Sequence, residues 1–276
     1  MDIPLLFIKT ILLRPYVFLF LAAFLFAAAR LLGWRRTGQF FIITWVTAFV
    51  CEFSSTRTGI PFGWYHYTGS TVGQELYLSN VPFMDPLSFT FLLYASYCLS
   101  LMFLLPVGQA KGRGSSLVKL NLMFDPHVRV SWPALILTAL FFAFIDVVID
   151  PVALRGDRWF LGRIYYYPDP GIHFGVPIAN YVGWAVVGLI ALSIYFVADR
   201  RVLPRPPDRA ESGGATTDVL LGCGLYYGVL VFNLAITFWI GEPLLGLTGV
   251  LIYLPVTALL MVRLYARVPF LAAPPH

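Results

Sequence analysis

Residues 132–151 read WPALILTALFFAFIDVVIDP, an apolar run long enough to enter a bilayer that closes on two carboxylates, Asp146 and Asp150. About 20 consecutive apolar residues span the hydrocarbon core as a helix. An acid at that depth is costly and is by default a functional hypothesis. Side chains four apart share one helix face, about 5 to 6 Å from each other, so the two aspartates form a pair.

The same kind of run recurs along the chain. Tyr16–Trp34, Gln39–Ser55, Pro86–Val107, Trp132–Ile149, Ile178–Ala198, Val219–Gly241 and Pro243–Val262 are all predominantly apolar. The composition agrees, with 59% hydrophobic and 12% charged residues, against about a quarter charged in a soluble domain. The reading is all-α: a polytopic transmembrane helical bundle of about seven helices, with residues 1–276 forming a single integral membrane domain. In the second segment only about a dozen apolar residues precede Glu52, too few to cross, so the helix must carry Glu52 into the bilayer or its interface. The first segment contains Ala27, Ala28 and Ala29, which mimic a signal cleavage site, but its length and the following Arg30, Arg35 and Arg36 fit a retained helix. Cys51, Cys98 and Cys223 lie in three different apolar segments without ligand-like spacing and read as packing residues.

A net charge of +5 raises nucleic acid as a partner, but the distribution argues against it. Thirteen of the nineteen basic residues fall in alternate connections: Arg30, Arg35 and Arg36; Lys111, Arg113, Lys119 and Arg129; Arg200, Arg201, Arg205 and Arg209; Arg263 and Arg267. The positive-inside rule places these, and the C-terminus, in the cytoplasm, with Lys9 and Arg14 as exceptions on the opposite side. The expected location is a bacterial cytoplasmic membrane, spanned several times. Pro204–Thr217, PRPPDRAESGGATT, reads as a mobile linker between the fifth and sixth spans.

Alternation of the spans gathers Glu52, Asp85, Asp146, Asp150, Asn180, Asn233 and Glu242 at the end opposite the basic loops. Two connections at that end are unusual: Thr58–Tyr67, TGIPFGWYHY, and Ile164–Trp184, IYYYPDPGIHFGVPIANYVGW. Glycine and proline dictate their backbone shape, and their aromatics suit a membrane interface. They read as folded lids or re-entrant segments. Each follows an acidic helix end, a faint echo of an internal repeat.

Taken in order, Glu52, TGIPFGWYHY, Val81-Pro82, IDVVIDPVA at 145–153, Trp159 and FGVPIANYVGW at 174–184 resemble the CruF-type carotenoid hydratases, a membrane family that includes γ-carotene 1',2'-hydratases and bisanhydrobacterioruberin hydratases. The resemblance covers about Glu52 to Trp184. Asp85 stands where the family has an apolar residue, and Ser88-Phe89 replaces an Ala-Trp step; these departures bear on substrate identity more than on reaction type.

The resemblance implies carotenoid biosynthesis: water is added across the terminal carbon–carbon double bond of an acyclic carotenoid end, giving a tertiary alcohol without an organic cofactor. Protonating such an alkene calls for a carboxylic acid kept neutral until substrate binds, and burial beside a second carboxylate favours the neutral form. Asp150 is the expected acid and Asp146 its buried partner. Because Asp150 precedes Pro151, it is biased out of the helical region towards the helix mouth. The faces of Trp64, Tyr65, Tyr67, Tyr165, Tyr166 and Trp184 are candidates to shield the carbocation. Glu52 is a candidate to orient or deprotonate the attacking water, and Asn180 to hold that water or the acids. The substrate enters from the lipid, and other carotenoid-pathway enzymes are possible partners.

Plainer readings stand beside these. The aspartates could cap the next helix, Glu52 could pair with Arg57 one turn away, and the aromatic loop could be a rigid interface element. His66 and His173 lack HxxxH or ExxH spacing, so no metal site is expected. Three other functions remain open: carotenoid end-group cyclisation, which begins with the same protonation in a dry pocket; proton-coupled transport, which also needs buried acids; and pigment binding, which would tolerate neutralising both aspartates.

Overall fold

The computed structural model describes residues 3–107, 121–123, 125–202 and 214–265. Nine α-helices are found among them: α1 (Ile3–Leu13), α2 (Pro15–Leu32), α3 (Trp34–Thr58), α4 (Met84–Leu104), α5 (Pro126–Arg129), α6 (Trp132–Ala153), α7 (Ile178–Val202), α8 (Gly214–Trp239) and α9 (Pro243–Tyr265). Seven of these, α2 to α4 and α6 to α9, are long and apolar enough to cross a membrane. Four two-residue strands, β1 (His66–Tyr67), β2 (Tyr77–Leu78), β3 (Val81–Pro82) and β4 (Tyr165–Tyr166), form two antiparallel ribbons, β1 with β4 and β2 with β3.

Helix α4 is the axis of the bundle. Of its most apolar stretch 83% is buried, against 28% for α2, α3 and α9. It packs on α2, α3, α6 and α8, while α6 lies against α7 and α9 closes the edge beside α8. The α4–α8 contact is close because Gly222 has no Cβ: one built there would overlap the Cys98 side chain. All three cysteines are free.

The basic end is held by ion pairs rather than left as a bare field of charge. Arg36 and Arg129 converge on Asp199, and Arg30 Nε lies 2.8 Å from Asp218 Oδ1. Arg263 donates to the carbonyls of Met102 and Leu105. The expected basic positions Lys111, Arg113, Lys119, Arg205, Arg209 and Arg267, and the linker from Pro204 to Gly213, lie outside the described residues. Gly214 to Thr217, expected in that linker, instead form the first turn of α8.

Two further features differ from the sequence reading. Helix α1 precedes the first span; at 11 residues it is too short to cross, and it is pinned to the opposite, loop-bearing end. There Thr10 Oγ1 accepts the Leu76 amide at 2.8 Å, and fully buried Arg14 pairs with Glu75 at 2.9 Å and donates to the Leu161 carbonyl. This pairing explains why a cation sits at the end that the charge rule leaves poor in them. Second, α6 does not end before Pro151 but runs through it to Ala153. Proline removes its own amide bond to the carbonyl four residues back and crowds that carbonyl with its ring, but neighbouring helices make such an interruption tolerable in a membrane bundle. Asp150 is therefore helical and buried, not at a frayed mouth.

Candidate active site

The two aromatic loops meet above the acidic helix ends. Their antiparallel ribbon pairs Tyr67 with Tyr165 and His66 with Tyr166. Side chains alternate along a strand, so the first pair and the residues two positions away point the same way. Tyr65, Tyr67, Tyr165 and Tyr167 accordingly cluster over the helices, with Tyr65 ring centroids 5.4, 6.1 and 6.2 Å from those of Tyr67, Tyr165 and Tyr167. Trp64 and Tyr166, both expected to line the site, point outward and are 52% and 38% exposed. Tyr167, which the sequence reading passed over, takes the inward place instead.

Beneath the tyrosines lies a small cavity lined by Glu52, Phe62, Tyr65, Tyr67, Asp85, Phe89, Asp150, Tyr165, Tyr167, Asn180 and Trp184. Its carboxyls form two stations. In the first, Asn180, in the first turn of α7, donates through Nδ2 to Asp146 Oδ2 at 2.6 Å and to Asp150 Oδ2 at 2.9 Å. Asp150 also accepts from the hydroxyls of Tyr165 at 2.5 Å and Tyr167 at 2.7 Å. Asp146 is fully buried behind it, off the cavity wall, and its Oδ1 has no hydrogen-bond partner among the described residues.

In the second station the Tyr67 hydroxyl lies 2.6 Å from Asp85 Oδ2 on α4 and 3.2 Å from Glu52 Oε2 on α3, and it accepts from Tyr65 at 3.5 Å. A phenol has one proton to donate. Two carboxyls on one hydroxyl are both hydrogen-bonded only when one of them carries a proton itself. Glu52 is turned towards Tyr67, and its Oε1 has no partner among the described residues. Arg57 bonds elsewhere, to the Phe53 carbonyl and Ser79.

The four inward tyrosines are held in the phenol form. Burial raises each well above its ordinary titration range, and the adjoining carboxylates push in the same direction. Aromatic faces complete the walls. Trp184 stacks on Phe89 at 4.3 Å and 16°, and Phe62 meets Phe89 at 5.9 Å. The loop carrying Phe62 reaches α7 only because Gly183 lacks a Cβ, which would come within 2.9 Å of the Phe62 backbone.

A second cavity, mostly apolar, adjoins the first. It runs between α2, α4 and α8, past Tyr16, Val17, Phe20, Phe91, Val229 and Phe232. Asp85, Asp150, Tyr165 and Trp184 line both cavities. Asn233, noted in the sequence at the acidic end, is on the wall of this channel. Among the described residues no group of three or more His, Cys, Asp or Glu is placed to hold a metal ion.

Comparison with known proteins fits this arrangement. A family model described as carotenoid biosynthesis protein matches residues 13–255. Over 216 residues, or 78% of the chain, the sequence is 29% identical to a bisanhydrobacterioruberin hydratase of Haloarcula japonica. That alignment spans 62% of the relative's length. No solved structure matches the chain.

Proposed function

This chain belongs to the carotenoid biosynthesis protein family, and on that premise we propose that it is an integral membrane hydratase. It adds water to the terminal double bond of an acyclic carotenoid end group and needs no organic cofactor. The observation that carries this reading is the junction of the two cavities. An apolar channel, suited to the end of a polyene arriving from lipid, opens onto a carboxyl-lined chamber at Asp150 and Tyr165. The resemblance to a named hydratase supports the reaction class.

Asp150 gives its proton to the less substituted alkene carbon, and the tertiary cation forms at the other. Tyr165, Tyr167 and Asn180 stabilise the carboxylate left behind, because hydrogen bonds to the charged form favour it. Asp146 is the supporting carboxyl, sharing Asn180 with Asp150. The faces of Tyr65, Phe89 and Trp184 surround the place where the cation would stand, and aromatic quadrupoles favour positive charge. Glu52, with its free Oε1, orients the attacking water. The basic end faces the cytoplasm of a bacterial cell, so the chamber lies at the outer side of the bilayer.

The test is expression in a bacterium that accumulates lycopene or γ-carotene, with pigments resolved by liquid chromatography and mass spectrometry. A product heavier by one water, absent with Asp150→Asn, is the expected result. An isomer of unchanged mass would replace hydration by cyclisation, and unchanged pigment from well-expressed protein would remove both enzymatic readings for those substrates.

A further inference from the structure

We propose that Asp85 is the base of the reaction and that Glu52, Tyr67 and Asp85 form a proton relay, distinct from the acid station at Asp150. The proposal rests on the hydratase reading and adds to it a residue and a route particular to this chain, since Asp85 stands where the resembled family usually has an apolar residue. Hydration needs both an acid and a base: one proton is delivered to carbon, and another must leave the water that attacks. Asp85 and Asp150 are the two carboxyls that line both the apolar channel and the polar chamber. They project from different helices, α4 and α6, so an alkene end held at the junction meets one from each wall.

The chemistry of their neighbours separates the roles. Asp150 and Asp146 are bridged by an amide NH2, which donates to both and passes no proton between them. Asp85 and Glu52 are bridged by the Tyr67 hydroxyl, 2.6 Å from one and 3.2 Å from the other, and a hydroxyl, unlike an amide NH2, is able to accept on one side while it donates on the other. Asp150 takes three side-chain donors and is built to be left as a carboxylate; among the described residues Asp85 takes only Tyr67. Its position in the first turn of α4 places the anionic form at the positive end of the helix dipole before water is bound.

The steps balance. The O–H bond of Asp150 breaks as the terminal C–H bond forms, leaving a carboxylate and a tertiary cation. Water oxygen bonds to the cation, and the proton it releases goes to Asp85. At rest Glu52 is the protonated member of the trio and Asp85 the carboxylate. Glu52 gives its proton to water in the chamber; Tyr67 then takes the proton from Asp85 as it gives its own to Glu52, so Asp85 is again a carboxylate and Glu52 again a neutral acid. The proton released to the chamber returns to Asp150, and no net charge is made or consumed.

The experiment uses the full chain in membranes prepared in D2O, with the acyclic polyene that the wild type hydrates, and follows two readouts. Deuterium entering the recovered, unhydrated polyene reports the acid step alone, since the cation can return to alkene by losing a proton. The hydrated product reports both steps. Asp85→Asn is expected to lower hydrated product by about a hundredfold, the usual scale for a lost general base, while deuterium still enters the polyene; Asp150→Asn should abolish both. Asp85→Glu, which restores a carboxyl, should recover part of the hydration. Full hydration by Asp85→Asn would overturn the proposal. So would loss of both readouts in that variant, together with no recovery by Asp85→Glu. A wild type that forms no hydrated polyene would instead overturn the hydratase reading itself.

Discussion

Tyr67 and Tyr165 are cross-strand partners in the ribbon over the bundle, yet their hydroxyls serve different helices: Tyr67 bonds Asp85 on α4, and Tyr165 bonds Asp150 on α6. Directly paired residues of an antiparallel ribbon have Cα atoms about 4.5 to 5.5 Å apart. The ribbon is thus a template that holds two carboxyls at a spacing set by the backbone.

Alternation along β4 gives a sharp mutational contrast. Tyr165→Phe and Tyr167→Phe each remove one donor to Asp150, and hydrated product should fall about tenfold for each, in line with a charge-assisted hydrogen bond. Tyr166→Phe, on the outward face, should leave the yield unchanged. Equal effects from all three, by pigment chromatography, would contradict the division of labour.

Asp146 and Asp150 are expected to behave as a unit. Asp150→Asn should lower hydration by about 10²- to 10⁴-fold, the range of general acid catalysis. Asp146→Asn should cost less, since Asp146 does not reach the cavity. The double variant should be no worse than Asp150→Asn alone, which initial rates in isolated membranes would establish.

Ala153 lies on the wall of the apolar channel near its junction with the chamber. Ala153→Phe should narrow the passage and suppress hydration of the long polyene by more than about tenfold, because overpacking a filled wall forces side chains out of place. A short acyclic isoprenoid with the same terminal double bond should be affected less. Equal loss for both would argue against entry by this route.

The Arg14–Glu75 pair is fully buried. Arg14→Met leaves Glu75 uncompensated and should destabilise the protein by about 3 to 5 kcal/mol, whereas Arg14→Met with Glu75→Leu should restore most of the loss. Thermal unfolding in detergent reads both. A double variant as unstable as the single would assign the cost to Arg14's bond to the Leu161 carbonyl.

The inward tyrosines link stability to alkaline pH. Their folded-state titration is raised above the ordinary value of 10.0, so the stabilisation is fully present below pH 10 and is lost as pH rises towards the folded value. Phenolate absorbance should show these four remaining neutral past pH 10 until the protein unfolds. Variants with phenylalanine at Tyr65 and Tyr67 should have the smaller alkaline loss of stability.

Much of the bundle was legible because hydrocarbon thickness imposes a length on every crossing helix, and the acids stood out against apolar surroundings. Glu52, Asp146, Asp150, Tyr65, Tyr67, Tyr165, Asn180 and Trp184 are drawn to one end for that reason. Trp64 and Tyr166 were expected on the inward face and Tyr167 was passed over because the strands are only two residues long, too short for a period to declare itself. The period-two rule applied outward from Tyr67 and Tyr165 would have selected Tyr65 and Tyr167. Asp85 was visible as an acid at the right end but not as a partner of Glu52, since a tyrosine from a separate loop joins them. Helix α1 escaped notice because 11 residues meet no spanning criterion, and the course of α6 past Pro151 depends on packing that no local preference encodes.

The two-residue ribbon also fixes what kinds of change the loops can absorb. Substituting an outward residue leaves the chamber alone, but deleting Trp64 would slip the register by one and reverse every side chain beyond it. Tyr65 and Tyr67 would then turn to solvent, and His66 would enter above the carboxyls. Along these loops, spacing should matter more than identity: the outer aromatics can be exchanged, while the count of residues from Gly63 to Tyr67, and from Ile164 to Tyr167, has to be kept.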